Sequence, residues 1–465
     1  MKKKFMLMLL LFALMVGLSP RSITQAQATS TQGEQFEQGK YDLQAEFPFG
    51  QNWNRNSPYA GTETPKVKWE YKLYNKDVPY ASGPPAFSAQ PAIGHDGTIY
   101  TTTGTSTSSS YNKLYAFNPD GSVKWKKEIK NGGYSTPVIA HDGTIYVAAS
   151  ELTAFSPDGS IKWQVKTPYG NTPVLDSDGT IYVRGEKGID AYNPDGSKKW
   201  SSNEIGRGSV ANSMLISKDG IIYTLVSDLG NKYLYAHDKT GKELWKKYIW
   251  GEYSGNGLAL GINNEILVNT QDKLYVFDKN GNIVHQWKEK EGLYSAPTVS
   301  STDGTIYVGG KGYIYAYNPD YSLKSKYPIK GEVHEAPVID KNGVIYFKTY
   351  DKMYALNPDG TLKWELPYTS TWFLSGGVND SITIGKDGTL YTNGKYVSAN
   401  DDGYFSLVAI GDSYTDNACT KESTYMEVLK SLRAKSKKAK LTEDEKKEAR
   451  DILKELSDDL DKKDN

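Results

Sequence analysis

The sequence predicts an all-β protein: an eight-bladed β-propeller closed by an N-terminal strand and followed by a short C-terminal helical hairpin. Three observations carry this prediction. A turn-and-strand element of the form DGTIY recurs eight times, at Asp96, Asp142, Asp178, Asp219, Asn263, Asp303, Asn342 and Asp387. A second strand of the form LYAF also recurs eight times, beginning at Leu114, Leu152, Ile189, Leu234, Leu274, Ile314, Met353 and Leu407. A third, the KW strand, carries Trp125, Trp163, Trp200, Trp245, Trp287 and Trp364, with Ser325 in the Trp place of a degraded copy. Its eighth copy stands alone at the front, as Trp69 within PKVKWEYK.

Each module is a four-stranded meander about 40 residues long, the size of a propeller blade. An apolar strand precedes each DG turn, as in STPVIA (135–140) and EAPVID (335–340). In NPDG, Pro presets the first turn position and Gly takes the left-handed one. Strand residues alternate Ile/Val/Leu with Tyr/Thr, so both faces of a sheet can be buried between neighbouring blades. The last module ends at LVAIGD (407–412) without a KW strand, and the lone front copy supplies one. Pairing them removes a free edge that invites aggregation.

Composition agrees. Tyr (35), Gly (44) and Trp (10) suit strands and tight turns. Lys+Arg and Asp+Glu balance at 55 each, so there is no basic footprint for nucleic acid. Residues 1–28 read as a signal peptide, with three lysines, an apolar run and the site Ala26-Gln27-Ala28. Its removal takes Lys2, Lys3, Lys4 and Arg21 and no acid, leaving the mature chain at −4. The apolar run is too short to span a membrane stably, and no cysteine follows it for a lipid anchor. We expect a secreted, monomeric protein of a Gram-positive cell, extracellular or associated with its wall, with no membrane insertion of the mature chain. The single Cys419 excludes a disulfide framework within the chain.

Four segments follow: the signal peptide (1–28), an N-terminal extension packing on the propeller (29–64), the propeller (65–412) and a charged helical tail (413–465). In the tail, Tyr425, Val428, Leu429 and Leu432 share one helical face. Ala449, Ile452, Leu453, Leu456 and Leu460 share another, after the capping box Thr442-x-x-Glu445.

Ala236–Trp245, AHDKTGKELW, resembles the A-x-D-x-x-T-G-x-x-x-W repeat of the PQQ-like, or quinoprotein-like, β-propellers. The resemblance covers residues 65–412. It implies the propeller fold, with the repeat Trp residues docking against adjacent blades. In that superfamily, alcohol and glucose dehydrogenases bind the quinone, while a group including the outer-membrane assembly lipoprotein binds no cofactor and acts as a scaffold. This chain has one cysteine where several of the dehydrogenases have a vicinal pair, and no recognisable Glu/Asn/Asp calcium set. The expectation is no cofactor, PQQ included.

Candidate chemistry is sparse. The five histidines show no metal-ligand spacing. His95 and His141 occupy the same place in blades one and two, which reads as repeat drift. Asp-rich turns such as DSDG (176–179) read as hairpin chemistry rather than calcium loops. No catalytic, cofactor-binding or metal residue is assigned. The position seven residues before each DG, with one-residue slippage in blade six, is more informative: Ala89, Ser135, Asn171, Asn212, Asn256, Ser295, Glu335 and Asp380. If the first strand lines the channel, these form a polar ring near one mouth. Loops arriving there carry Arg207, Trp250, Tyr253, Tyr294, His334 and Trp372 among other aromatics. The expected function is a non-catalytic binding or scaffold propeller that recognises a partner protein or carbohydrate at the face around its central channel. The alternative is an extracellular enzyme acting on polysaccharide or sugar, with Glu335 and Asp380 as acid and base.

Overall fold

The recurring apolar strands and Gly turns form eight antiparallel sheets, one per repeat. The computed structural model describes residues 55–412 except 75–85, 88, 105–111, 131–134, 168–171, 203–204, 206–209, 229–230, 251–256, 271–272, 368–381 and 397–403. The expected signal peptide, residues 29–54 and the helical tail lie outside the described residues. Among those described there is no helix, and none long and apolar enough to cross a membrane.

Blade two shows the plan. Val138–Ile139, Ile145–Ala148, Glu151–Phe155 and Ile161–Lys166 pair in sequence order. Blade one adds Ala86–Phe87, which pairs with Ile99–Gly104. Blade eight takes three strands from Thr383–Ile384, Leu390–Tyr396 and Tyr404–Gly411. Its fourth strand is Lys66–Tyr74, with Lys66 opposite Gly411 and Tyr74 opposite Tyr404.

Apolar residues collect into eight clusters, each built from the facing sheets of two consecutive blades. One joins Val338, Tyr346 and Met353 of blade seven to Ile384, Leu390 and Val408 of blade eight. Another joins Leu73, Tyr391 and Leu407 of blade eight to Phe87, Ile93 and Phe117 of blade one. Burial is therefore distributed around the ring, as the two-faced apolar strands require.

A repeated device locks most seams. The KW indole donates Nε1–H to the NPDG-type turn of the next blade: Trp69 to Pro119 at 2.8 Å, Trp125 to Pro157 at 2.9 Å, Trp163 to Pro194 at 2.8 Å. The ring lies on the turn glycine. At Gly121 (φ 87°) a Cβ would stand 2.6 Å from the Trp69 ring, so this Gly serves both the left-handed turn and the close approach. Within five blades the lysine before the Trp place clamps the DG turn; Lys124 reaches Asp96 Oδ2 at 3.0 Å and Thr98 Oγ1 at 2.9 Å.

Blades five to seven depart from this pattern. In blade six Ser325 does hold the Trp register opposite Ala316, but Tyr327, two residues on, fills the groove against Gly360. In blade five His285 holds that register and Trp287 lies two residues on, donating to Tyr321 O at 2.8 Å. Tyr321 stands where other turns have Gly, at φ 72°. It stacks on His285 at 5.3 Å.

Residues 55–64 form a strap over blades six to eight. Asn56 bridges Ile339 in parallel and its Nδ2 donates to Val299 O at 2.6 Å. Gly61 N–H donates to Asp340 Oδ2 at 2.9 Å, and Trp364 Nε1–H donates to Thr62 O at 3.0 Å. Thr62 therefore supplies the carbonyl that an NPDG turn supplies elsewhere, because blade eight lacks that turn.

Candidate functional site

Each meander starts at one face of the ring, the approach face, and makes its DG and NPDG turns at the other, the turn face. The position seven residues before DG lies at the approach face, but its described members do not form the expected open polar ring. Ala89, Ser135 and Ser295 are fully buried. Ser135 Oγ accepts Ala148 N–H at 3.2 Å and Ser295 Oγ accepts Gly309 N–H at 2.7 Å, each from the second strand of its own blade. A short side chain here satisfies a backbone donor that the two-residue first strand leaves uncovered.

Glu335 follows the same logic with a longer reach. Its carboxylate pairs with Lys348 at the end of blade seven's second strand, 2.9 Å away. Lys348 is buried and also donates to Thr392 Oγ1 of blade eight at 2.9 Å. The pair thus ties the approach loop of blade seven to two second strands. Arg184 occupies the same strand position in blade three and is also buried. Sequence reasoning missed both cations, although each breaks an apolar run at its fourth residue, in IYVR and IYFK.

The structure brings two predicted residues together at the seam of blades six and seven. Tyr294 and His334 stack with ring centres 5.0 Å apart and planes 12° apart. His334 also meets Tyr350 at 5.8 Å, and its Nε2 lies 3.1 Å from Glu332 Oε2. Tyr294, Glu332, His334, Glu335 and Tyr350 are all half-buried. Burial holds the His334 pKa below its ordinary value, with the Glu332 bond pulling the other way. Burial, reinforced by Glu332, pushes the Tyr350 phenol up to about 12. A half-buried aromatic cluster with an acid at its side can stack on a ligand and accept hydrogen bonds from it.

Trp250 lies apart from that cluster, at the end of blade four's outer strand, and is 69% exposed. Its ring meets Tyr248 edge-on at 4.8 Å, and its carbonyl accepts the Tyr275 hydroxyl at 2.9 Å. Asn212 lies in blade four's first strand, Val210–Ile216. Asn171, Arg207, Tyr253, Asn256, Trp372 and Asp380 lie outside the described residues.

At the turn face the aspartates serve their own turns. Asp120 Oδ1 accepts Ser122 N–H at 2.9 Å and Ser122 Oγ–H at 2.6 Å, and these bonds hold its carboxyl below the ordinary range. Burial opposes ionisation at Asp96, yet the bonds from Lys124 and Thr98 outweigh it. Among the described residues no group of three or more His, Cys, Asp or Glu is placed to hold a metal ion.

Fold and repeat together define a β-propeller of PQQ-like repeats. The chain belongs to the family described as outer membrane protein assembly factor BamB, matched over residues 57–214, 185–319 and 230–403. It is also 37% identical, over 87 residues, to the uncharacterized protein YxaL of Bacillus subtilis (strain 168). That match covers 19% of this chain and 18% of YxaL, so the chain spans under a fifth of that relative's length. Among solved structures, BamB from Moraxella catarrhalis is similar at 19% identity and a TM-score of 0.42, covering 64% of this chain and 96% of that one. The Dos1 propeller is similar at 10% identity and a TM-score of 0.43, covering 58% and 80%.

Proposed function

We propose that this protein is an exported, non-catalytic scaffold that binds a partner protein at its approach face, centred on Tyr294, His334 and Tyr350. Membership of the BamB family supports a protein-interaction role. The observation that carries the choice of site is the Tyr294–His334 stack, held half-open between two rigid blades. Preformed aromatic surface of this kind binds at low cost in conformational entropy. Glu335 is a tether here, because its carboxylate is committed to the buried Lys348. In the same reading the protein uses no quinone, the leader directs it out of the cytoplasm, and Lys66–Tyr74 is the latch of the ring.

The test is a pull-down from a cell-envelope extract with the full chain and with Tyr294→Ala/His334→Ala. Capture of a defined protein by the wild type, reduced at least about tenfold in the folded variant, is expected for loss of a central aromatic pair. Equal capture by both would move the binding face elsewhere.

A further inference from the structure

We propose that an overhanging edge of blade four, at Tyr248 and Trp250, docks a proline-rich segment of polyproline II form that carries an acidic residue beside its prolines. The overhang follows from strand length. The second, third and outer strands of blade four, Ile222–Asp228, Asn231–His237 and Glu243–Ile249, run seven residues each. Those of blade three, Ile181–Arg184, Ile189–Tyr192 and Lys198–Ser201, run four. The face of blade four that carries Tyr235 clusters with Val174, Tyr182 and Ile189 of blade three. At the approach side the same face continues past those shorter strands, through Tyr233 and, directly opposite it, Tyr248.

That continuation is aromatic where other blades are charged. The facing pair at this register is Lys113 and Glu128 in blade one, Glu151 and Lys166 in blade two, and Lys273 and Lys288 in blade five. Two residues further on, blades one and five carry Lys130 and Lys290, whereas blade four carries Trp250. Tyr248 is 40% exposed and Trp250 69%, so neither ring is spent on the core. Large aromatic side chains left together in water mark a docking surface. The backbone beneath them is fixed: Ile249 is buried, and Trp250 O accepts the Tyr275 hydroxyl of blade five.

Ring geometry and charge choose the occupant. Trp250 meets Tyr248 at 85° and Tyr248 meets Tyr233 at 68°, with centres 4.8 and 5.5 Å apart. Coplanar rings would offer a sugar chain a flat platform. Rings near right angles leave corners, which a compact prolyl ring fills. Aromatic-lined grooves hold polyproline II segments in this way, and the preset backbone of such a segment gives up little entropy on docking. The Lys246 ammonium lies over the Tyr233 and Tyr235 rings, 4.0 and 4.9 Å from their centres, one ring away from the Tyr248–Trp250 corner. A cation held there draws a carboxylate on the incoming chain. This surface is separate from the Tyr294–His334 stack and needs no part of that reading.

The experiment is a calorimetric titration of the full chain with a decaproline peptide ending in two glutamates. A decaproline ending in two lysines and the neutral sugar cellohexaose are the counter-probes. The wild type should bind the acidic peptide saturably at millimolar concentration or below, and the basic peptide at least about threefold more weakly. Trp250→Lys, which installs the residue of blades one and five at an exposed site, should weaken the acidic peptide at least about tenfold. Tyr248→Ala should do the same. Tyr294→Ala/His334→Ala should bind the acidic peptide as the wild type does, and a loss there would place the peptide at that stack and overturn the proposal. Absence of saturable binding by the wild type also overturns it, as does equal binding of the basic peptide or equal binding by Trp250→Lys. Binding of cellohexaose in place of the peptide would make the face a sugar platform and equally overturn it.

Discussion

The seams of blades one to four and those of blades five to seven solve one packing problem in two ways. In the first set a Trp in strict register lies on a turn Gly, and the indole donates to the second turn residue. In the second set, the blade six seam keeps its turn Gly360 and replaces the Trp, and the blade seven seam keeps the Trp and changes its acceptor. The blade five seam changes the turn residue, the register residue and the acceptor together. Tyr321 replaces the Gly, His285 takes the Trp register, and Trp287 shifts by two residues onto the same face of the strand. A displacement of two preserves the side of the sheet, whereas one would have turned the indole to the other face. The seam is a volume to be filled, and the repeat motif is only its commonest filling. At the seam of blades seven and eight the filling comes from outside the repeat, through the strap carbonyl of Thr62.

The strap and latch make the largest test of this contrast. Deleting residues 65–72 removes most of the strand that covers Tyr404–Gly411, together with the Trp69 ring over Gly121. The expected loss exceeds about 4 kcal/mol, since an outer strand and a cluster boundary go together. Self-association through the exposed edge should follow. Thermal unfolding and light scattering check both. A truncated chain that stayed monomeric and equally stable would remove the latch reading.

A buried histidine gives the next effect. Where blades one, two and five place Phe117, Phe155 and Phe277, blade four places His237, which is 1% exposed. Burial lowers its pKa to about 4, against the opposing pull of Asp238. The folded chain therefore refuses a proton that the unfolded chain accepts near pH 6.5. Stability from this group is complete above that value, falls as the pH drops towards 4, and levels off below. The loss amounts to up to about 3 kcal/mol. His237→Phe should flatten this part of the stability–pH curve in denaturant titrations between pH 7 and pH 4. An unchanged slope would show that His237 protonates at its ordinary value in the folded state.

How far these features can be read from the sequence follows from which groups make them. Eight blades and their strand order were legible because turns and alternation are local, and each is repeated. The Ser325 register was legible for the same reason, yet the side chain that fills its groove, Tyr327, was not. Filling depends on Gly360 from the next blade. The open polar ring failed at Ser135 and Ser295 because a sequence does not show whether a hydroxyl faces water or an uncovered N–H. Tyr294 and His334 were singled out separately; their stacking, and the arrival of Glu332 and Tyr350, depend on two loops 40 residues apart meeting at one seam.

A double-mutant cycle sharpens the contrast between the two kinds of seam. Tyr321→Gly relieves a left-handed backbone but strips a ring from His285 and Trp287. His285→Trp alone forces an indole against Tyr321. Both single variants should be destabilised, and the double variant, which restores the Trp-on-Gly pair, should recover about 1–2 kcal/mol of coupling. Strict additivity in urea unfolding would mean that the irregular seam is not one unit.

The smallest effect separates the repeated clamp from the strap's version of it. Lys124 pairs with Asp96 at 3.0 Å, with side chains 34% and 52% exposed, so Lys124→Met should cost under about 1 kcal/mol and less in high salt. In blade seven Asn342 stands in the DG turn, and Lys363 pairs instead with Glu63 of the strap at 2.6 Å. Lys363→Met should cost as little globally, because Glu63 is 64% exposed. Its consequence should be local: faster amide exchange at residues 59–64, where Thr62 O receives Trp364 and Gly61 N–H meets Asp340. Lys124→Met has no comparable target, since its partner belongs to the same blade and lies in a turn already closed by its own backbone bonds. Equal exchange changes at residues 59–64 in the two variants would place the hold on the strap in its backbone bonds rather than in Lys363.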